Sequence, residues 1–142
     1  MARIKHRENR GHFAGVPSVV MNNPDYIKLG YSARALLFEL ALQCYGNNNG
    51  KLCAIHAQLI KRGFGKGSDT VTNALRELTE ANLIVCTKVG MFGRGQKQPN
   101  YYAVTWRPIN DIKGFQMDVK PTITPPRQFS VELRLVKNDK AA

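Results

Sequence analysis

The sequence predicts an α+β domain in which three helices come first and a β-hairpin follows. Apolar residues recur at helical spacing in three segments between residues 32 and 82. Two later runs, 83–89 and 100–106, are rich in β-branched and aromatic residues and flank a glycine-punctuated loop. The 142 residues suit one domain with additional segments at its ends.

The first long helix is predicted to begin at Ser32, because serine is a favourable N-cap and an apolar stripe follows it. Gly46 and the asparagine-rich run 47–50 are predicted to end it. Upstream, residues 16–21 predict a helical turn and residues 22–25 predict a tight turn. The apolar stripe consists of Leu36, Leu37, Leu40, Ala41 and Cys44.

Two further helices are predicted after a short strand at residues 51–53. The second helix covers residues 54–61 and is closed by Gly63. Ser68 is predicted to cap the third helix, and Asp69 in its first turn suits the helix dipole. The apolar stripe of the third helix consists of Val71, Ala74, Leu75 and Leu78. Its opposite, polar face consists of Asp69, Thr72, Asn73, Arg76 and Glu80.

The predicted hairpin carries a long basic loop at residues 90–99. Its glycines supply the backbone freedom of a long turn, and it holds Arg94 and Lys97 but no acidic residue. A helix-turn-helix followed by a β-hairpin is the element order of a winged helix, with a three-helix core. The loop would then be the wing.

The ends of the chain differ from its centre in composition. Residues 1–12 predict a basic flexible arm, and residues 13–108 the winged-helix domain. Residues 109–142 predict an extended tail, in which 109–127 is a linker or a segment laid over the surface. Alternation of apolar and polar residues predicts a strand at 129–136. A lone strand is not stable, so it would join the domain's own sheet, another protein or a second copy. Strand exchange between two copies would create a homodimer through the tail.

The net charge of +11 indicates a polyanionic partner. Residues 1–107 carry most of it, with 15 basic against 6 acidic residues. No apolar run approaches the roughly 18 residues that a membrane helix needs. No apolar signal-peptide core follows the basic start. We therefore expect a cytoplasmic protein.

No pattern in the sequence predicts catalysis, a metal site or a cofactor, so we expect a protein that is not an enzyme. The three cysteines have no paired spacing and are expected to be small buried hydrophobes. Residues 63–68 are close to a phosphate-binding loop in composition, but Ile60 stands at the position of its first glycine. His56 lies in an amphipathic helix and is expected to be a packed or surface histidine.

Four stretches carry a family resemblance: NNGKL at 48–52, TV and ALREL within 70–78, ANLI at 81–84 and YAVTWRP at 102–108. With them, residues 13–107 resemble the winged-helix domains of phage, plasmid and integrative-element proteins. These include the amino-terminal domains of lambda-type replication initiators. Such domains bind double-stranded DNA, so the resemblance implies that partner here. Ala54 departs from the usual Ser or Thr cap of the second helix, and Asn82 from the usual glycine.

In a winged helix the third helix usually enters the major groove, whose base edges carry a distinct donor–acceptor code. Asn73 is the candidate for an adenine edge, and Arg76 for guanine O6 and N7. Thr72 could contact a thymine methyl group or a phosphate. The alternative is an ordinary solvated helix face, because any surface helix turns polar residues outward.

Other DNA contacts are predicted at the start of this helix. Lys66 and Ser68 stand where backbone N–H groups favour a phosphate oxygen. Asp69 would repel phosphates, so it either accepts a hydrogen bond from cytosine N4 or only caps the helix.

The loop and the arm complete the predicted interface. Arg94 could enter a narrow minor groove, Lys97 could meet a phosphate and Gln96 could form hydrogen bonds. A solvated hairpin tip is the alternative. The arm could reach an adjacent groove, or make no contact, through its basic residues Arg3, Lys5 and Arg7.

We expect a sequence-specific double-stranded DNA-binding protein of a mobile genetic element, acting in transcriptional regulation or replication initiation. One alternative is a replication accessory protein whose tail recruits a partner. Another is a winged helix that binds a protein through its helix face. Double-stranded RNA is a weaker alternative, because A-form RNA hides its major groove from a helix. Three aromatic residues of the return strand are expected to brace the hairpin, with stacking on single-stranded bases as the alternative: Tyr101, Tyr102 and Trp106.

Overall fold

A computed structural model describes residues 11–90, 92–93 and 96–141, and within them the chain is an α+β fold. The helices are α1 Ser18–Met21, α2 Pro24–Ile27, α3 Tyr31–Gln43, α4 His56–Lys61, α5 Ser68–Glu80 and α6 Phe129–Ala141. The strands are β1 Ile84–Lys88, β2 Phe92–Gly93, β3 Gln96–Lys97 and β4 Tyr101–Val104. Predicted helices at 32–44, 54–61 and from 68 onward correspond to α3, α4 and α5. The architecture is compatible with a winged helix.

Helices α3 and α5 pack against each other and form the centre of the core. The predicted stripe of α5 is confirmed at Val71, Ala74 and Leu78, which are buried, while Leu75 is half-buried. The buried side of α3 consists of Ala33, Leu36, Leu37, Leu40 and Ala41. Burial of such side chains is the main favourable term in the stability of the domain.

The N-cap predictions at Ser32 and Ser68 are wrong by two residues and by one. Helix α3 begins at Tyr31 with Gly30 as its N-cap, and the N–H of Gly30 donates to Glu77 Oε1 at 3.1 Å. A carboxylate from another helix thus occupies this helix start. Helix α5 begins at Ser68 itself, with an extended Gly67 as its N-cap and no side-chain cap hydrogen bond.

The C-terminus of α5 is closed by Asn82, the residue that departs from the usual glycine. Its φ of +56° is left-handed. The N–H of Leu83 donates to the carbonyl of Leu78 at 3.0 Å, and the N–H of Asn82 to that of Thr79 at 3.0 Å. This pair of hydrogen bonds is a Schellman motif. Asparagine tolerates the left-handed conformation better than most residues, so it takes the place of glycine.

The hairpin consists of two antiparallel pairs. β1 pairs with β4, with Ile84 opposite Val104 and a register irregularity between Cys86 and Lys88. β2 pairs with β3, so the predicted loop 90–99 contains a second short ladder. The predicted strand at 51–53 is reduced to one bridge between Leu52 and Tyr102.

The tail contradicts the predicted strand at 129–136, because residues Phe129–Ala141 form helix α6. The apolar residues of this segment fit the spacing of a helix as well as that of a strand, because Phe129, Leu133 and Val136 are spaced i, i+4 and i+7. A helix satisfies its own backbone hydrogen bonds, whereas a strand needs a neighbouring strand. Phe129 is buried, and α6 packs on α1. The segment expected to exchange between two copies as a strand is therefore helical, so it offers no strand for a homodimer of that kind.

Before α6, the tail lies over the body of the protein as a segment without regular structure. Backbone N–H groups of Asn110, Asp118 and Arg127 donate to carbonyls of Asn49, Thr87 and Thr105 at 2.9, 2.7 and 3.0 Å. Among the described residues, no helix combines the length and apolarity needed to cross a membrane.

Candidate nucleic-acid interface

The outward face of α5 presents a row of polar side chains. Asp69, Thr72, Asn73 and Arg76 are all exposed, and their spacing of i, i+3, i+4 and i+7 places them on one face. Arg76 Nη1 donates to Asn73 Oδ1 at 3.3 Å. The two predicted base-reading side chains are therefore neighbours, and each can orient the other.

The start of α5 is attached to α4. His56 Nε2 lies 3.3 Å from the carbonyl oxygen of Gly67, so an imidazole with its proton on Nε2 donates to the residue that caps α5. This contact gives His56 a structural role. Lys66 is exposed in the connecting turn and Asp69 in the first helical turn, while the side chain of Ser68 lies outside what the structure describes.

The base of the hairpin is held by several contacts. The N–H of Gly90 donates to Asn100 Oδ1 at 2.6 Å, and the N–H of Val89 donates to Asp118 Oδ2 at 3.0 Å. A Cβ on Gly90 would lie 2.0 Å from the carbonyl oxygen of Gln98. Only glycine allows the two sides of the hairpin to approach this closely.

Beyond this base, the predicted loop contacts are only partly placed. Gln96 pairs with Gly93 and Lys97 with Phe92, but only their backbones are described. Arg94 lies outside the described residues, in the two-residue connection between β2 and β3.

Arg3, Lys5 and Arg7 also lie outside the described residues, but the point where their segment joins the domain is defined. The ring of His12 stacks on Tyr45 at a centroid distance of 3.9 Å. Its Nε2 lies 2.6 Å from the carbonyl oxygen of Leu42, near the end of α3. The point at which the basic N-terminal segment joins the domain therefore lies at the C-terminal end of α3.

The return strand keeps most of its aromatic surface on the protein. Tyr102 is buried at 7% exposure, and Trp106 packs against the core. Burial raises the pKa of the Tyr102 hydroxyl. Tyr101 is half-buried and meets Phe115 of the tail edge-on at 4.9 Å. Bracing of the hairpin accounts for these contacts.

The charges on the candidate face are not neutralised by neighbouring acids. Within the described part of the chain, Lys66 and Arg76 take part in no ion pair. Arg62, by contrast, pairs with Glu39 on the side of α3 and α4. Lys66 and Arg76 are therefore available to an anionic ligand.

The expectation of buried cysteines holds only in part, because Cys44 is buried while Cys53 and Cys86 are half-buried. All three are free, and burial raises the pKa of the Cys53 and Cys86 thiols, which keeps them protonated at neutral pH. Among the described residues, no group of three or more His, Cys, Asp or Glu side chains is placed to hold a metal ion.

Two contacts, at the hairpin base and at the C-terminal end of α5, have no signal in the sequence. Asp118 supports the hairpin from the tail, and Arg127 donates to the carbonyls of Ala81 and Asn82 at the end of α5. Both join segments that are distant in the chain, so local patterns do not indicate them.

Comparisons of the chain with protein-family models, with curated proteins and with solved structures find no match.

Proposed function

We propose that this chain is a winged-helix protein that binds double-stranded DNA in a sequence-specific manner and is not an enzyme. In this proposal α4 and α5 form the helix-turn-helix, α5 enters the major groove, and the hairpin is the wing. The proposal further places the protein in a mobile genetic element, where it regulates transcription or initiates replication. The last step rests on the family resemblance alone.

The observation that carries the proposal is the exposed polar row of α5. A major groove is wide enough to admit one helix, and the four side chains of the row would then face the base edges. Arg76 would donate two hydrogen bonds to guanine, and Asn73 would donate and accept at adenine. The net charge of +11 favours association with any DNA, and the polar row would supply the sequence preference.

The test is selection of bound duplexes from a randomised DNA pool, followed by sequencing. An enriched motif supports the proposal, and its symmetry distinguishes one bound copy from two. Binding without enrichment, which collapses as salt rises, would indicate a non-specific electrostatic binder. Absence of duplex binding at moderate salt would refute the DNA-binding proposal in favour of a protein-binding winged helix.

Exposed apolar residues on α6 favour a second candidate, in which the tail binds a protein. These residues are Val131, Leu133, Leu135 and Val136. The partner would be a second copy or a replication or transcription protein. Light scattering at micromolar concentration tests the second copy: a dimer that Leu135→Glu converts to a monomer supports homodimerisation through the tail. A wild-type monomer, with an asymmetric DNA motif, refutes it.

A further inference from the structure

The base of the hairpin carries a cluster of two lysines and two aromatic rings, which come from the segment before α4, from β1, from β4 and from the tail. Lys51 Nζ lies 5.2 Å from the centroid of Phe115, and Lys88 Nζ lies 5.0 Å from it. Tyr101 contacts the same ring edge-on. We call Lys51, Lys88, Tyr101 and Phe115 the hairpin-base cluster.

The tail holds Phe115 in this position. Asp118, three residues later, donates from its N–H to the carbonyl of Thr87 in β1 and accepts from the N–H of Val89. Met117 packs so closely on Gly50 that a Cβ there would lie 2.8 Å from its Sδ. These contacts hold the ring beside β1 and the segment at Gly50, so the two lysines share a partner with a defined position.

The cluster continues into an open groove of about 590 Å³ formed by tail residues 111–121. Phe115 lines this groove together with Lys113 and Lys120, both exposed, and with Asp111. The cluster and the groove that it borders together carry four lysines: Lys51, Lys88, Lys113 and Lys120. The same part of the tail also carries two acids: Asp111, which lines the groove, and Asp118, whose carboxylate accepts a hydrogen bond from the N–H of Val89.

The two cluster lysines repel each other. Because each ammonium lies about 5 Å from one ring centroid, they are at most about 10 Å apart, which is about the screening length at 0.1 M salt. Within the described residues neither lysine forms an ion pair. Cation–π contact offsets part of this repulsion, and an anion near either ammonium group would offset more of it.

We propose that the hairpin-base cluster binds phosphates of the DNA backbone that flanks the segment contacted by α5 and the hairpin. The inference rests on the proposed function and extends its footprint. Ammonium groups recognise phosphate as point charges and do not read bases, so the contact adds affinity without sequence preference. Lys88 and Gly93 are five residues apart and can lie up to about 16 Å from each other along a strand. The cluster would therefore meet the backbone beside the groove that the hairpin tip enters.

The test compares Lys51→Gln/Lys88→Gln with the matched control Arg134→Gln/Lys137→Gln, whose basic residues are exposed on α6 and form no ion pair within the described residues. Both variants lose two charges. The affinity for a selected duplex is measured between 50 and 200 mM salt. Removing two phosphate contacts lowers the salt slope by about 1.8, so the advantage of the wild type shrinks about tenfold over this range. The control is expected to retain the wild-type slope.

A second measurement uses the unchanged protein, so it does not depend on the folding of a variant. Trimming the duplex to the bases protected by α5 and the hairpin should lower the wild-type salt slope by the same amount. It should leave the slope of Lys51→Gln/Lys88→Gln unchanged. A single-stranded oligonucleotide of the same length serves as the competing ligand.

Each outcome decides between the two proposals. A protein that binds no duplex refutes both of them. Duplex binding with equal slopes for the two double variants, or no effect of trimming, refutes only the hairpin-base contact. A change in salt slope that appears only with the single-stranded oligonucleotide also overturns the hairpin-base contact with duplex DNA, and it would indicate a site for single strands.

Discussion

Replacing Arg127 by methionine is predicted to lower the free energy of unfolding more than any surface change. The side chain is 9% exposed and joins three segments of the chain. Nε donates to both carboxylate oxygens of Glu132, Nη2 to Asp25 at 2.6 Å, and Nη1 to the carbonyl of Ala81 at 2.9 Å. The guanidinium also lies 4.3 Å from the ring centroid of Phe129.

The magnitude follows from these partners. Breaking a buried ion pair by removing one member costs about 3–5 kcal/mol. Asp25 and Glu132 are 33% and 41% exposed, so water can solvate them once Arg127 is gone, and the cost is smaller. The lost hydrogen bond to a carbonyl adds about 1 kcal/mol. We expect a loss of about 3 kcal/mol, and a fall in Tm of about 6–12 °C.

The assay is urea and thermal unfolding at neutral pH, with Arg134→Met as the control. Arg134 is exposed on α6, which begins two residues after Arg127, and it forms no ion pair within the described part of the chain. The control should lie within about 0.5 kcal/mol of the wild type. If Arg127→Met matches it, the network around Arg127 does not hold the tail in place and the reasoning is wrong.

Four further results are expected. Burial raises the pKa of Asp25, but the hydrogen bonds and charges of Arg127 and Lys28 outweigh burial and lower this pKa below 3.8. The stabilisation from the Asp25 carboxylate is therefore present above pH 3.8 and is lost as the pH falls through the folded-state pKa. In an acid titration, Asp25→Asn should show a flatter dependence of stability on pH than the wild type. Gly90→Ala should destabilise the protein by more than about 1 kcal/mol in urea unfolding, because its Cβ would meet backbone at 2.0 Å; a neutral result would mean that the hairpin base is loose. Asn82→Ala should cost about 1 kcal/mol in the same assay and Asn82→Gly should not, and equal costs would contradict the left-handed cap. In binding assays Arg76→Ala should cost about 1–3 kcal/mol and relax one base preference, whereas Lys97→Ala should weaken all sequences alike and lower the salt slope by about one; equal losses on specific and random DNA for Arg76→Ala would contradict its assignment to base recognition.

The sequence predicts the central helices well because their apolar stripes are local patterns. The spacing of Val71, Ala74 and Leu78 determines which face of α5 is buried, and therefore which face is exposed. The polar row of the candidate interface follows from the same periodicity. Helix starts are predicted less well, because the start of α3 is contacted by Glu77, a residue 47 positions away from Gly30.

The tail and the hairpin-base cluster could not be predicted in the same way. Alternation at 129–136 fits a strand, yet the burial of Phe129 favours a helix, and no described strand is available to pair with this segment. Phe115 lies 27 residues after Lys88, and the segment between them has no periodic pattern that brings them together. Such contacts depend on the path of an irregular segment, which local composition does not determine.

The Schellman motif at Asn82 leaves no hinge between α5 and the hairpin. Ala81 and Leu83 on either side of it are buried, and Arg127 binds two carbonyls at the same point. These contacts favour one orientation of α5 relative to the hairpin. In the proposed complex, the spacing between the DNA segments contacted by α5 and by the hairpin would therefore be constant. The protein would not bind sites in which this spacing is altered.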